Sequence, residues 1–169
     1  LIAFLYNENA NINWEEAKSK YDDPFAISLK PEAALSFIAV STTSGTGSQC
    51  TQAAVVSDTK TKNKVTFFHS ALFPAVAIVD PELMLSVPSS VTAATGFDAF
   101  THAFESFLGN RVSPITEQMS LQAIKLVVQN LPKAIKDPNN IKVRSNLAWA
   151  DTLAGMCLAN GGADLPHPL

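Results

Sequence analysis

The stretch PSSVTAATGFDAFTHAFESFLGN, residues 88–110, decides how the second half of this chain is built. It has none of the two-residue alternation of a half-buried strand. Its length and composition are those of a helix, with Pro-Ser-Ser supplying start signals and Gly109-Asn110 a stop. At 100° per residue Phe97, Phe100, Phe104 and Phe107 share one side. Asp98, His102 and Glu105 share another, flanked by the small Ala99, Ala103 and Ser106. Two readings follow. In the plain one, the phenylalanines enter the core and the polar groups face water. In the other, Asp98 and His102 are two ligands of one metal. Spacing alone leaves both open, although small residues beside a polar face permit close packing there, and the helix carries few charges for a solvated one.

Working outward, SPITEQMSLQAIKLVVQNLPKAIKD reads as a second helix. Ser113 is its N-cap, Pro114 its first residue, Glu117 sits near capping-box spacing, and Pro132 is expected to break or kink it. A third helix is expected from about Ile141 to Ala159, ending at Asn-Gly-Gly. Upstream the character is different. Phe37 to Val40 fits a buried parallel strand. AAVVSD (53–58) and KVTFF (64–68) form a plausible hairpin, AVAIVD (75–80) a further strand, and NWEEAKSKY (13–21) a short helix. Strands before position 81 and helices after 88 imply two segregated regions: residues 1–87 belonging to an α/β region and 88–169 to an all-helical one, with the boundary near Pro88.

Composition narrows the function classes. The 169 residues are 47% hydrophobic and 16% charged, which provides a real core and excludes a disordered chain. A formal charge of −3 without a basic patch speaks against nucleic acid and anionic membranes as partners. Cys50 and Cys157 lack metal or redox spacing, which suits a reducing cytosol. No apolar run approaches the ~20 residues of a membrane span. The chain opens LIAFLYNEN without a methionine and stops at LPHPL, and it is read as an internal stretch of a longer protein.

Two further features carry chemistry. His167, in NGGADLPHPL, lies in a loop stiffened by glycine and proline that would present an imidazole to another helix. With Asp98 and His102 it would make a carboxylate and two imidazoles, a set suited to Fe(II), Zn(II) or a similar divalent ion. Three protein ligands leave positions open for water or substrate. A loop histidine without a role is the plain alternative. His69 has no partner pattern and reads as structural or superficial. The second feature is STTSGTGSQ (41–49). A strand running into Thr, Ser and Gly offers backbone N–H groups and hydroxyls to a phosphate or ribose. It is neither GxGxxG nor GxxxxGK[ST].

Taken together, STTSGTGSQCT, SDTKTKNK, AIVDPEL, PSSVTAATGFDAFTHAFE and NGGADLPH resemble, in order and spacing, the iron-containing (group III) alcohol dehydrogenase family over about residues 35–169. The resemblance implies a dehydroquinate synthase-like two-domain architecture. A Rossmann-like α/β nucleotide-binding region, present here in part, is followed by an all-helical region, also in part, with a metal in the cleft between. It implies Asp98, His102 and His167 as metal ligands through which catalysis runs. It places the loop of Thr42, Thr43, Gly45, Thr46 and Ser48 along the cofactor, with Lys64 and Leu83 beside the nucleotide. The implied cofactors are Fe(II), or Zn(II), and NAD or NADP. The implied substrate is a small alcohol, aldehyde or ketone, and the implied setting is a cytoplasmic homodimer. Ser41 stands where the family usually has proline and Gln49 where it usually has glutamate. The glycine-rich pyrophosphate motif is absent from these residues, and a fourth ligand, a histidine, is expected just beyond 169. With parts of both sites elsewhere, this stretch alone is not expected to turn over alcohol. Glycerol-dehydrogenase-like and dehydroquinate-synthase-like enzymes, or an inactive nucleotide-binding scaffold, are the alternatives.

Overall fold

The computed structural model describes residues 35–57, 59, 62 and 64–162. The helix expected at 13–21 and the loop carrying His167 lie outside these residues. Four strands come first: β1 (Ile38–Ser41), β2 (Ala53–Ser57), β3 (Lys64–Phe68) and β4 (Val76–Val79). Three helices follow: α1 (Ser89–Leu108), α2 (Pro114–Lys136) and α3 (Ile141–Gly161). An α/β region thus precedes an all-helical one.

β1 pairs in parallel with β4, Ile38 opposite Val76 and Ser41 opposite Val79. The parallel pairing agrees with the sequence reading, but the expected burial does not. Ile38, Val40, Val76 and Ile78 are exposed, because a parallel sheet is buried by helices laid on its faces and, among the described residues, none packs closely on β1 or β4. β2 and β3 form the expected antiparallel hairpin, from the Ala53–Phe68 rung to the Ser57–Lys64 rung. Phe67 is its buried anchor.

The helices begin where their local chemistry dictates. Ser113 caps α2 by accepting from Thr116 N–H at 3.2 Å, and the Thr116 hydroxyl accepts from Ser113 N–H at 2.8 Å. The reciprocal partner is therefore Thr116, one residue before the expected Glu117: it occupies the third helical position, where a side chain can reach back. Pro132 does not break α2, which continues to Lys136. The carbonyl deprived of a donor is that of Val128, an exposed residue, so water can take the place of the missing N–H. Asn140 caps α3 through Val143 N–H at 3.3 Å. The helix runs through Gly161 and stops at Gly162, whose φ of 79° suits glycine.

The three helices pack through small side chains. Ala99 and Ala103 of α1, Ala123 and Val127 of α2, and Ala150, Leu153 and Ala154 of α3 form one buried cluster. Arg144 ties the helical region to its entry. Its guanidinium donates to Thr92 Oγ1 at 2.7 Å, to the Val87 carbonyl at 3.1 Å and to the Pro138 carbonyl at 2.9 Å. Among the described residues no helix is long and apolar enough to cross a membrane.

Candidate metal centre and its loop

The orientation of α1 reverses the plain amphipathic reading. Phe97 is 63% exposed and Phe104 42%. Phe97, Phe100 and Phe104 stack along the helix with ring centroids 5.8 Å apart. The inward face is the polar and small one: Ala99, His102, Ala103, Glu105 and Ser106 are all buried. Polarity did not sort the faces: two other elements approach α1 closely, one at Ser106 and one at Thr95. One is the end of α3, where the carbonyl of its C-cap Gly162 accepts from Ser106 Oγ at 3.1 Å. The other is the Thr/Ser/Gly loop. A Cβ on Gly45 would lie 2.6 Å from Thr95 Cβ, so only glycine fits there.

That contact orders His102. Its Nδ1 lies 3.3 Å from the Gly45 carbonyl oxygen. A carbonyl only accepts, so Nδ1 carries a proton, and in the neutral imidazole it is Nε2 that offers a lone pair. Nε2 stands 3.8 Å from Asp98 Oδ1, beyond hydrogen-bond length. Two donors each about 2.1 Å from one tetrahedral ion would stand about 3.4 Å apart, so this pair has nearly the separation of two ligands of a shared ion. The second ring nitrogen of a metal-binding histidine is typically held by a carbonyl or carboxylate, as here. Donor types, tautomer and spacing all fit a divalent cation. Asp98 is one-third exposed and His102 nearly buried, so the pair sits at the edge of the packed region with one side open. The third expected ligand, His167, lies outside the described residues, and among those described no group of three or more His, Cys, Asp or Glu is assembled.

The loop expected along the cofactor follows β1 directly. Thr42, Thr46 and Ser48 are exposed, Thr43 is half-buried, and Gly45 and Gly47 are buried. Thr46 and Ser48 form a local turn, with Ser48 N–H donating to Thr46 Oγ1 at 3.3 Å and the two hydroxyls 3.1 Å apart. Gly47 adopts φ 59° and presses on the backbone of Gly155 in α3, where a side chain on Gly155 would meet the Gly47 carbonyl at 2.5 Å. Leu83 is exposed on the short 3-10 turn Pro81–Met84. That turn is joined to the loop where Ser44 Oγ donates to Met84 Sδ at 3.0 Å. Lys64 is set apart. It stands opposite Ser57 at the far end of the hairpin, roughly 13 Å along the strand from the Ala53–Phe68 rung beside the loop.

His69 is structural, as expected: buried, it accepts from Ala71 N–H through Nδ1 at 3.1 Å and starts the short turn Ser70–Leu72. The sequence reading missed Asp151. This carboxylate is fully buried in α3 and accepts from Gly47 N–H at 2.7 Å and from Gln49 Nε2 at 2.9 Å. Burial raises its pKa from 3.8 to about 6, against the lowering effect of the hydrogen bonds from Gln49 and the loop backbone. The signal was a lone charge amid Leu147, Ala148, Trp149, Ala150, Leu153 and Ala154.

Comparison with known proteins gives a consistent result. Residues 1–81 match the family model described as iron-containing alcohol dehydrogenase, and residues 92–169 match that of the Fe-containing alcohol dehydrogenase family, C-terminal. The NAD-dependent methanol dehydrogenase of Bacillus methanolicus is 41% identical over 132 residues, which cover 78% of this chain and 35% of that protein. The crystal structure of sulfoacetaldehyde reductase from Bifidobacterium kashiwanohense in complex with NAD+ is 37% identical with a TM-score of 0.75, over 80% of this chain and 37% of that one. An iron-containing alcohol dehydrogenase from Thermotoga maritima is 31% identical with a TM-score of 0.83, over 98% and 42%. The chain spans about a third of the length of the first curated relatives it matches.

Proposed function

We propose, on the premise that this chain belongs to the iron-containing alcohol dehydrogenase family, that it carries part of the active site of a metal-dependent, NAD- or NADP-linked oxidoreductase. The reaction is hydride transfer between a small alcohol and a nicotinamide ring, or the reverse from an aldehyde or ketone. One observation carries the reading: a single buried imidazole joins the metal-binding pair to the nucleotide loop, Nε2 facing Asp98 and Nδ1 held by Gly45.

Asp98 and His102 would hold the ion, Fe(II) or Zn(II), with His167 as third ligand. A bound divalent ion supplies Lewis acidity, lowering the cost of negative charge on the substrate oxygen. Asp98 contributes a formal negative charge that helps retain the cation. His102, its Nδ1 held by the Gly45 carbonyl, would turn Nε2 toward the ion. Thr42, Thr43, Thr46 and Ser48 offer hydroxyls, and Gly45 lets the backbone come close to a nucleotide lying along the loop. Lys64 and Leu83 belong to the same proposed nucleotide surface; Leu83 is supported by the joint between its turn and the loop, whereas Lys64 rests on the family resemblance. The division of the chain near Pro88 is supported by the gap between the two matched segments, residues 82–91. A cytoplasmic homodimer is the setting that the family resemblance supports.

The test is turnover by the whole protein with NAD and NADP against a panel of short alcohols, following reduced nicotinamide. Wild-type protein should reduce the cofactor and the His102→Ala variant should not. Turnover by that variant at the wild-type rate would rule out the assignment.

A further inference from the structure

We propose that Asp151 is a positioning residue: its buried carboxylate pins the Gly45–Gln49 loop so that the loop can receive the dinucleotide and the Gly45 carbonyl can orient His102. The inference rests on the proposed function and extends it to a side chain outside the proposed ligands and nucleotide surface. The carboxylate's hydrogen bonds end on the loop, one on Gly47 N–H at 2.7 Å and one on Gln49 Nε2 at 2.9 Å. Gln49 also reaches Thr152 Oγ1 at 3.4 Å, so the anchor grips α3 at consecutive positions. Two residues before Gly47, the Gly45 carbonyl reaches His102 at 3.3 Å. A bond of that length is easily lost if the loop slackens, and with it the constraint that keeps the proton on Nδ1.

A fully buried carboxylate held by neutral donors is a costly way to fasten a loop. An amide or a well-packed apolar contact would fasten it without a desolvated charge. What the charge adds is strength of directional bonding, since hydrogen bonds to an ionised acceptor are roughly twice as strong as neutral ones. Gln49 belongs to the same device. The family resemblance leads one to expect glutamate there, but a glutamate carboxylate in place of that amide would sit in contact with Asp151 and force the two to share a proton. The amide at 49 and the carboxylate at 151 are therefore a matched pair in this chain.

The experiment uses the whole protein and three variants, Asp151→Asn, Gln49→Glu and the double substitution. Metal content, melting temperature, NAD and NADP binding, and kcat and KM for the dinucleotide are measured on each. Asp151→Asn should raise the dinucleotide KM about five-fold, lower kcat at least two-fold through the slackened hold on His102, and leave the melting temperature unchanged or higher. A residue that only supports the fold would lower it. Gln49→Glu should weaken dinucleotide binding at least ten-fold near neutral pH. The double variant should recover to within three-fold of wild type. In it the pair is exchanged: the new carboxylate at position 49 accepts from the new amide at position 151, whose oxygen still accepts from Gly47 N–H. Dinucleotide KM within two-fold of wild type in Asp151→Asn, or a double variant no better than Gln49→Glu, would overturn the inference alone. A wild-type protein that binds neither metal nor dinucleotide overturns the proposed function and this inference with it. Should Gln49→Glu fail to fold, Asp151→Asn decides by its KM and melting temperature.

Discussion

The two faces of α1 present opposite chemistry, and among the described residues part of each lies on the side its polarity argues against. Phe97 and Phe104 lie outward, while His102, Glu105 and Ser106 are buried. The outward phenylalanines still bury part of their area by stacking on Phe100. The inward face gives up aromatic burial to gain proximity, with a glycine loop on one flank and the end of α3 on the other. Such an arrangement is expensive for a helix whose only task is to fill a core. It is what a helix needs if its buried polar groups are to meet ligands brought by other elements.

The largest effect should come from removing the polar centre. His102→Ala should reduce turnover of the whole protein by about a thousand-fold or more, the scale of several kcal/mol of lost charge stabilisation, with steady-state kinetics as the check. Retained turnover would reduce the inner face to packing alone.

Next is the carboxylate beneath the loop that the inner face receives. The folded state raises the Asp151 pKa from 3.8 to about 6. Between those values the native protein holds more protons than the unfolded chain, so stability falls as pH rises. The full displacement corresponds to about 3 kcal/mol. Denaturant unfolding at pH 4 and at pH 7 should therefore show wild type losing up to about that amount relative to Asp151→Asn. Equal pH dependence in the two proteins would mean that the group titrates normally.

The packing contrast is sharpened by a pair of substitutions on α1. Ala103→Leu enlarges a completely buried residue and should destabilise by about 1–3 kcal/mol through overpacking. Phe97→Ala removes a larger side chain from the outer face and should cost less than about 1 kcal/mol, most of it the stacking contact. Thermal melts of both variants decide it. A costlier Phe97→Ala would show that the aromatic face is the packed one.

Much of the framework was legible in local chemistry. Ser113-Pro114 and Gly161-Gly162 bound their helices as capping rules require, and the β2–β3 strands were marked by their β-branched residues around a polar turn. The Asp98–His102 pair and the glycine loop were also visible, each as one of two open readings. Other features depend on what packs where, which no single stretch encodes. The phenylalanines of α1 could be identified as apolar, but not that Phe97 and Phe104 lie outward while Phe100 packs on the core. Pro132 could be seen as a helix breaker, but not that the carbonyl it leaves without a donor belongs to an exposed residue. The Asp151–Gln49 contact joins positions 102 residues apart, beside the close approach of Gly47 to Gly155.

The central claim is that the inner face of α1 is half of a metal centre. The measurement that tests it most directly is metal content, by elemental analysis, of the whole protein purified without air beside its His102→Ala variant. The account predicts about one Fe or Zn per chain in the wild type and loss of it in the variant. Wild-type protein that is metal-free yet binds NAD or NADP would contradict it, leaving Asp98 and His102 as polar groups of a nucleotide-binding scaffold.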